Sequence, residues 1–317
     1  MHIQEGFLPS APVCLATGAI AAGAFAYSVY RLRDSLGDRT IPMTGMVSAL
    51  LFSGQMVNFP IGAGTSGHLI GGVLAARLLG PWGGCVALTL VLIVQRFLFA
   101  DGGLTTLGAN VLHMAVVGAI GGHALLVGLQ RLFGHTLRGQ VTASVLSAWL
   151  TVMLMAGMCC LEFAIAWNGK PEFRLDRFLP LMFVFHALIG VGEALITGSV
   201  IRFVGVRRPD LLYDSPHPST RPLRRFLLHG FLVVLAITVF LAPMASGLPD
   251  GLDQALQTSA PSVADHPKTS LFEAYDALLP HGGWKLWSVI LSGLLGTIAV
   301  VGISAVLGRA IAPGTTG

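Results

Sequence analysis

Charge is what this sequence has least of. Asp, Glu, Lys and Arg make up 11% of its 317 residues, whereas a soluble globular domain carries about 25%. This deficit, together with 54% hydrophobic residues, excludes an ordinary water-soluble protein. Apolar runs long enough to cross a bilayer recur along the whole chain and indicate a polytopic α-helical membrane protein. The formal charge of +4 comes without interleaved aromatic residues, so no nucleic-acid partner is expected.

Several functional motifs are missing as well. The chain has no phosphate-binding loop of the form GxxxxGK followed by Ser or Thr, so any ATP hydrolysis is expected in a separate subunit. No helix carries the His-Glu-x-x-His pattern of a zinc protease, and the chain is not expected to be an enzyme. The cysteines lack zinc-site spacing and fall in apolar runs, where reduced thiols pack as small hydrophobic groups. They are Cys14, Cys85, Cys159 and Cys160.

The N-terminus lacks the features of a cleavable signal peptide. No positive charge precedes the first apolar run, and Glu5 and Pro9 lie ahead of it. We therefore expect Met1 to remain in the mature protein, with His2 directly behind it.

Met1 and His2 form a potential metal chelate. The α-amine, the deprotonated amide nitrogen of His2 and Nδ1 of its imidazole can close fused five- and six-membered rings around one ion. Three nitrogens in a plane suit metals that prefer square-planar or tetragonal geometry, above all Ni(II) and Cu(II). The alternative is that His2 is a chance residue in a frayed terminus.

His68 is the candidate for a fourth nitrogen donor. It ends the glycine-rich stretch 58–67, which is too irregular for a lipid-facing helix. Non-helical backbone at membrane depth survives only where it is buried in protein or lines a cavity. A neutral imidazole carried by such a loop completes a planar four-nitrogen site suited to Ni(II), with Co(II) next. The alternative is a histidine that only hydrogen-bonds the loop backbone.

Other polar residues are candidates for positioning these histidines. Gln95 and Arg96 lie in an apolar helix, where polar groups usually face the bundle interior. They are expected to hydrogen-bond His68 or to orient the terminal segment through Glu5, unless Arg96 extends to the membrane interface.

The remaining positioning candidates lie in two polar turns. Thr65 and Ser66 come directly before His68. Asn110 ends the turn that begins at Asp101. The polar groups of this turn are expected either to hold the N-terminus or only to cap helices.

Titratable residues inside the helices are expected to be structural. They are His113, His123, His186 and Glu193. His186 and Glu193 are seven residues apart, hence on one helix face, and can form a buried pair. The external loop near residues 246–283 is expected to be solvated, although its acidic and histidine side chains could loosely recruit cations. Those are Asp265, His266, Glu273, Asp276 and His281.

The apolar pattern predicts an all-α fold, a polytopic transmembrane helix bundle with a seven-helix core and two further transmembrane helices. The predicted helices are Pro12–Tyr30, Ile41–Val57, His68–Leu79, Gly83–Ala100, Leu107–Leu132, Val141–Trp167, Phe178–Val204, Phe226–Ala245 and Trp284–Leu307. A basic, proline-rich segment separates the two groups, which predicts a core over residues 1–205, a cytoplasmic linker over 206–225 and a second unit over 226–317.

Basic residues predict the orientation of this bundle. With the N-terminus outside, loops on the cytoplasmic side contain thirteen Arg residues and loops on the outside contain five Lys or Arg residues. This bias agrees with the positive-inside rule, and it requires nine crossings, because dropping one would invert every later loop. Met1 and His2 are therefore expected to face outward, where an imported ion arrives.

Four motifs in a fixed order resemble one protein family. They are Met1-His2-Ile3 with Glu5-Gly6-Phe7-Leu8, then Thr65-Ser66-Gly67-His68, then the stretch from Asp101 to Asn110, then the stretch from His186 to Ala194. Over roughly residues 1–204 the chain resembles the membrane substrate-binding subunits of nickel/cobalt energy-coupling factor transporters, the CbiM/NikM family. Residues 226–317 resemble the accessory component of these systems, because Pro249-Asp250-Gly251-Leu252-Asp253 is similar to the signature Pro-Asp-Gly-Leu-Glu.

The resemblance implies a function. It implies that the chain captures Ni(II) or Co(II) as the substrate-specific subunit of a transporter in the bacterial cytoplasmic (inner) membrane. The implied ligands are the amine of Met1, the amide and imidazole of His2, and His68. The implied partners are two cytoplasmic ATPases and a transmembrane coupling protein. The loop that ends in Thr65-Ser66-Gly67-His68 favours the nickel-type branch.

Two other classes of function stay open at this stage. A partner-independent secondary divalent-metal transporter would need carboxylates or histidines along the helices as a proton relay, and only Glu162 and Glu193 offer deep acid groups. A membrane metalloenzyme would need an open coordination position and a general base, whereas a planar four-nitrogen site is closed.

Overall fold

The computed structural model describes residues 2–33, 39–215, 222–264 and 285–312. Within these ranges the chain is a bundle of long helices with one small β-hairpin. The elements are α1 (Ala11–Arg33), α2 (Thr40–Gln55), β1 (Phe59–Gly62), β2 (Thr65–Gly67), α3 (Gly72–Phe99), α4 (Leu107–Phe133), α5 (Leu137–Ala166), α6 (Leu175–Arg207), α7 (Leu223–Met244), α8 (Gly251–Ser259) and α9 (Lys285–Ile311). Seven of them are long and apolar enough to cross a membrane: α1, α3, α4, α5, α6, α7 and, over Leu286–Ile311, α9. The predicted all-α polytopic bundle is confirmed.

The helix α3 is a helical hairpin rather than one straight rod. Gly80 has φ 75° and ψ 171°, a conformation that breaks the helix just before Pro81. A Cβ placed on Gly84 would lie 2.9 Å from the backbone nitrogen of Ala76. Eight residues of continuous helix would separate these positions by about 12 Å, so the chain reverses at Gly80. The two predicted helices 68–79 and 83–100 are therefore both present, although the first begins at Gly72.

The glycine-rich stretch before α3 forms a β-hairpin. β1 and β2 are antiparallel, with Phe59 opposite Gly67 and Gly62 opposite Thr65. The two connecting residues, Ala63 and Gly64, have φ of 50° and 72°. Two positive φ angles are what a type I′ turn requires, and glycine reaches them without steric cost. This hairpin ends one residue before His68.

Small residues bring the core helices together. A Cβ on Gly108 of α4 would collide with the backbone of Gly18 in α1. A Cβ on Gly72 would lie 2.5 Å from the carbonyl carbon of Gly118 in α4. Such backbone-to-backbone contact is how helices associate in lipid, where apolar burial gives little driving force. The contacts draw α4 and the start of α3 to a common point beneath the hairpin.

The C-terminal helices pack on the core. The aromatic ring of Phe52 in α2 fills the space in front of Gly296 in α9. Between α7 and α9 lies α8, whose Leu252, Ala255 and Leu256 are fully buried, and which packs against α6. The expectation of a solvated external loop is therefore wrong for the part that contains α8, while Asp265, His266, Glu273, Asp276 and His281 lie outside the described residues.

Candidate metal site

His2 and His68 meet at one end of the bundle, 66 positions apart in the sequence. Their ring centroids are 5.2 Å apart and their planes are inclined by 23°. Both side chains are buried, with 4% and 6% exposure. With nitrogen–metal distances of about 2 Å, two imidazoles on one ion have centroids roughly 4.5 to 6.5 Å apart. The observed separation therefore suits a shared ion, and it contradicts the alternative of a frayed N-terminus.

A chain of hydrogen bonds determines which nitrogen of His2 carries the proton. The chain starts at the carbonyl oxygen of Ile70, which accepts from Nε2 of Gln55 at 3.0 Å. Oε1 of Gln55 then accepts from Nε2 of Gln95 at 2.8 Å. Oε1 of Gln95 remains as an acceptor, 3.2 Å from Nε2 of His2. Nε2 of His2 must therefore donate, and in the neutral ring Nδ1 holds the lone pair needed for the chelate.

The carboxylate of Asp101 faces this lone pair. Oδ1 of Asp101 lies 3.3 Å from Nδ1 of His2. Burial lowers the pKa of His2, whereas the charge of Asp101 acts to raise it. Two lone-pair atoms this close attract each other only when a proton or a metal cation lies between them. A cation at this position would interact favourably with both atoms.

The proton on His68 is assigned in the same way. Its Nδ1 lies 2.9 Å from the carbonyl oxygen of Leu69, an acceptor, so Nδ1 donates and Nε2 holds the lone pair. Burial holds its pKa well below the ordinary value, which keeps the ring neutral. Glu193 fixes the chain that follows, because its carboxylate accepts from the amides of Ile70 and Gly71, both at 2.7 Å.

Glu193 and His186 do not form the pair that their spacing suggested. The carboxylate of Glu193 is used by the loop after His68. Nδ1 of His186 donates instead to the carbonyl of Met182 at 2.8 Å, one turn earlier in α6. Glu193 thus positions the loop of a candidate ligand, a role that sequence analysis missed.

The N-terminal segment is held by the turn before α4. Ile3 donates its amide to Oδ1 of Asn110 at 2.8 Å, and its carbonyl accepts from Nδ2 of Asn110 at 3.1 Å. The hydroxyl of Thr106 donates to the same carbonyl at 2.6 Å. With both backbone groups of Ile3 paired and its side chain fully buried, His2 is fixed in place. The predicted positioning role of Asn110 has this physical basis.

Glu5 and Arg96 also form hydrogen bonds with the turn before α4. Oε2 of Glu5 accepts from the amide of Leu104 at 2.5 Å, and Oε1 accepts from the hydroxyl of Thr105 at 2.6 Å. Burial acts to raise the pKa of Glu5, but these hydrogen bonds outweigh it and the pKa is lowered. Arg96 donates to the carbonyl of Gly102 at 3.1 Å. Arg96 therefore contributes to the orientation of the turn.

Thr65 and Ser66 have other partners than the histidines. The Thr65 hydroxyl donates within the hairpin to the carbonyl of Ala63, at 3.4 Å. The Ser66 hydroxyl donates to the carbonyl of Leu248 in the C-terminal unit, at 2.7 Å. Their positioning role stays a prediction, and Ser66 joins the two parts of the chain beside His68.

Side chains alone do not complete a metal site. Within the described ranges, no group of three or more His, Cys, Asp or Glu side chains could hold a metal ion. Two imidazoles need two further donors for a planar set, which the sequence-based hypothesis assigns to backbone nitrogens. The predicted amine donor belongs to Met1, which lies outside the described residues.

Sequence analysis missed the roles of three residues that shape the candidate site: Gln55, Asp101 and Glu193. All act on residues far away in the sequence, so spacing gave no signal for them. The polar character of Gln55 and Glu193 inside apolar helices was the one available indication.

The chain matches a known protein family over most of its core. The family described as "Cobalt uptake substrate-specific transmembrane region", CbiM, matches residues 2–211. A protein of Archaeoglobus fulgidus named as a fused nickel transport protein, NikMN, is 30% identical over 98% of each chain. The fused nickel transport protein NikMN of Rhodobacter capsulatus is 32% identical over 74% of this chain and 71% of its own length.

Similarity also extends to a cobalt protein and to solved structures. The cobalt transport protein CbiM of Geobacter sulfurreducens is 30% identical, over 94% of this chain and 87% of its own. The crystal structure of a transition metal transporter is 29% identical, with a TM-score of 0.59 over 65% of this chain and 93% of that one. A truncated transition metal transporter gives a TM-score of 0.58 at the same identity, over 64% of this chain and 98% of that one.

Proposed function

Because the chain belongs to the CbiM family of cobalt-uptake substrate-specific transmembrane regions, we propose that it captures Ni(II) or Co(II) outside the cell and delivers the ion across the membrane. The observation that carries this proposal is the convergence of His2 and His68, whose rings are 5.2 Å apart. The partners of both rings leave Nδ1 of His2 and Nε2 of His68 as lone-pair donors. The α-amine of Met1 and the amide of His2 supply the other two nitrogens.

Ni(II) is the proposed substrate of choice. Four nitrogen donors in a plane favour Ni(II) over Co(II). The similarity over 98% of both chains to a protein named as a fused nickel transport protein supports the same ion. The core over residues 1–205 binds the ion, a linker over 206–225 follows, and the accessory unit over 226–317 covers the site.

Energy for uptake comes from other subunits in this proposal. The chain carries no ATP-binding motif, so two ATPases and a transmembrane coupling protein drive the transport cycle in the cytoplasmic membrane. The N-terminus faces outward, which agrees with the excess of Arg in the opposite loops.

The test is uptake of radioactive Ni(II) by cells that lack other nickel carriers. Cells that express the chain together with the ATPases and the coupling protein are expected to accumulate Ni(II), and an ATPase without its phosphate-binding lysine is expected to abolish this. Equal accumulation with the inactive ATPase would favour a partner-independent secondary transporter and contradict the proposal.

A further inference from the structure

One short segment of the C-terminal unit reaches the ion site. The carbonyl of Pro249 accepts from the amide of Ser66 at 2.8 Å, and the carbonyl of Leu248 accepts from its hydroxyl at 2.7 Å. Asp250 pairs with Ser66 in a parallel β-bridge. Since Ser66 lies two residues before His68, this docking brings Asp250 beside a candidate ligand.

Asp250 and His68 line the same small cavity. Its other walls are Gly67, Ile70, His186 and Ile189. Burial lowers the pKa of both His2 and His68, and the charge of Asp250 acts in the opposite direction on both rings. Asp250 therefore lies close enough to both rings for its charge to act on them.

The carboxylate of Asp250 is held rigidly. Its Oδ1 accepts from the amides of Leu252 at 2.9 Å and Asp253 at 2.8 Å, so Asp250 is the N-cap of α8. A Cβ on Gly251 would lie 3.2 Å from Cε1 of His186, which shows how closely the backbone approaches the cavity. The N-cap hydrogen bonds and the close packing of Gly251 hold the Asp250 carboxylate in place. Binding of an ion therefore does not have to pay the entropy cost of ordering this side chain.

We propose that Asp250 is a positioning residue for the captured ion, and that through it the C-terminal unit supplies negative charge to the site. This inference rests on the proposed function. A dication held by three neutral nitrogens and one deprotonated amide keeps a net positive charge in a buried place, where uncompensated charge is costly. Asp250 offsets that charge from the side of His68, as Asp101 does from the side of His2. By reciprocity, a bound ion strengthens the docking of residues 248–253.

The test compares Asp250→Asn with Asp253→Asn in the purified full-length chain. Asn caps a helix about as well as Asp, so Asp250→Asn keeps the start of α8 and removes only the charge. Asp253→Asn removes the same charge from the same helix, at a position that does not line the cavity. Ni(II) affinity is measured by competition with a chelator of known affinity, at low and at high salt.

We expect Asp250→Asn to weaken Ni(II) affinity about tenfold at low and at high salt alike, since salt screens buried charges only weakly. Asp253→Asn is expected to behave like the parent. The ligand-field absorption of bound Ni(II) is expected to stay unchanged, because Asp250 is not a ligand.

Three results would overturn the inference: parental affinity in Asp250→Asn, equal losses in both variants, or a changed absorption spectrum in Asp250→Asn, which would make Asp250 a ligand. His68→Ala serves as the reference for the proposed function itself. Parental affinity in His68→Ala would contradict the four-nitrogen site, independently of the result for Asp250.

Discussion

Among the residues that the structure describes, four histidines are buried, and they fall into two pairs with different surroundings. His2 and His68 lie in non-helical segments at one end of the bundle and face each other. His113 and His186 lie within α4 and α6. All four are at most 6% exposed, so burial does not separate the pairs.

Their hydrogen-bond partners separate the pairs only in part. His2 and His68 each donate one nitrogen to an acceptor that fixes the ring, Oε1 of Gln95 and the carbonyl of Leu69. Nδ1 of His186 donates to the carbonyl of Met182 in the same way, whereas Nε2 of His113 pairs with Glu162 at 2.7 Å. An orienting hydrogen bond is therefore not sufficient to distinguish the proposed ligand pair, which differs in the 5.2 Å between its rings and in its place outside the helices.

The largest effect is expected from a change in the first pair. His68→Ala removes one of four proposed donors and is expected to lower Ni(II) affinity by about 100-fold or more, without loss of protein from the membrane. Competition titration of the purified variant measures this. Uptake and affinity equal to the parent would show that His68 only bonds its own loop.

A smaller loss is expected when the group that orients His2 is removed. Gln95→Leu takes away the acceptor for Nε2 of His2 and breaks the link to Gln55, so Ni(II) affinity is expected to fall about tenfold. Gln140→Leu is the control, because the side chain of Gln140 bonds to Arg77 and to the carbonyl of His135 and to neither His2 nor His68. If both variants bind Ni(II) with the same affinity, the chain of hydrogen bonds from Ile70 through Gln55 and Gln95 does not orient His2.

A change beside the second pair, His113 and His186, is expected to lower the stability of the protein and to leave its Ni(II) affinity unchanged. Glu162→Leu leaves His113 without its charged partner in an apolar interior, which costs roughly 1–3 kcal/mol of unfolding free energy. Thermal unfolding in detergent is expected to shift down by a few degrees, while Ni(II) affinity stays within twofold. A large loss of affinity at unchanged stability would move His113 and Glu162 into the ion pathway.

The smallest effect concerns pH. Asp101 acts to raise the pKa of His2 by stabilising its protonated ring, so Asp101→Asn is expected to lower that pKa further. The metal-free protein is used, because the charge of Asp101 would also stabilise a bound cation. A pH titration of the His2 ring by NMR is expected to give a lower midpoint in Asp101→Asn than in the parent. A midpoint that moves up would mean that Asp101 favours the neutral ring.

Much of the fold could be predicted from the sequence, because local signals specify it. The apolar runs gave the helices, and Gly80-Pro81 gave the reversal within α3. His2 and His68 were identified because a terminal chelate and a glycine-rich loop are both local patterns. Asp250 also had a readable signal, since an acidic residue ahead of a short amphipathic run is typical of an N-cap.

The contacts between distant segments could not be predicted. Gln95 lies 93 positions from His2, and Ser66 lies 182 positions from Leu248. No periodicity links such residues, because tertiary packing alone brings them together. For the same reason, sequence analysis missed the bond between Ser66 and Leu248 and assigned the α8 segment to solvent.

The central claim is that the chain's own N-terminus and His68 bind the ion together. One added residue ahead of Met1 converts the amine, whose ordinary pKa is near 8, into an amide and moves His2 to third place. Ni(II) uptake at limiting external metal is measured for this variant and for one with a matched C-terminal extension, at equal membrane expression. The account predicts that the N-terminal extension abolishes uptake and that the C-terminal extension leaves it intact. Equal uptake by the two forms would contradict it.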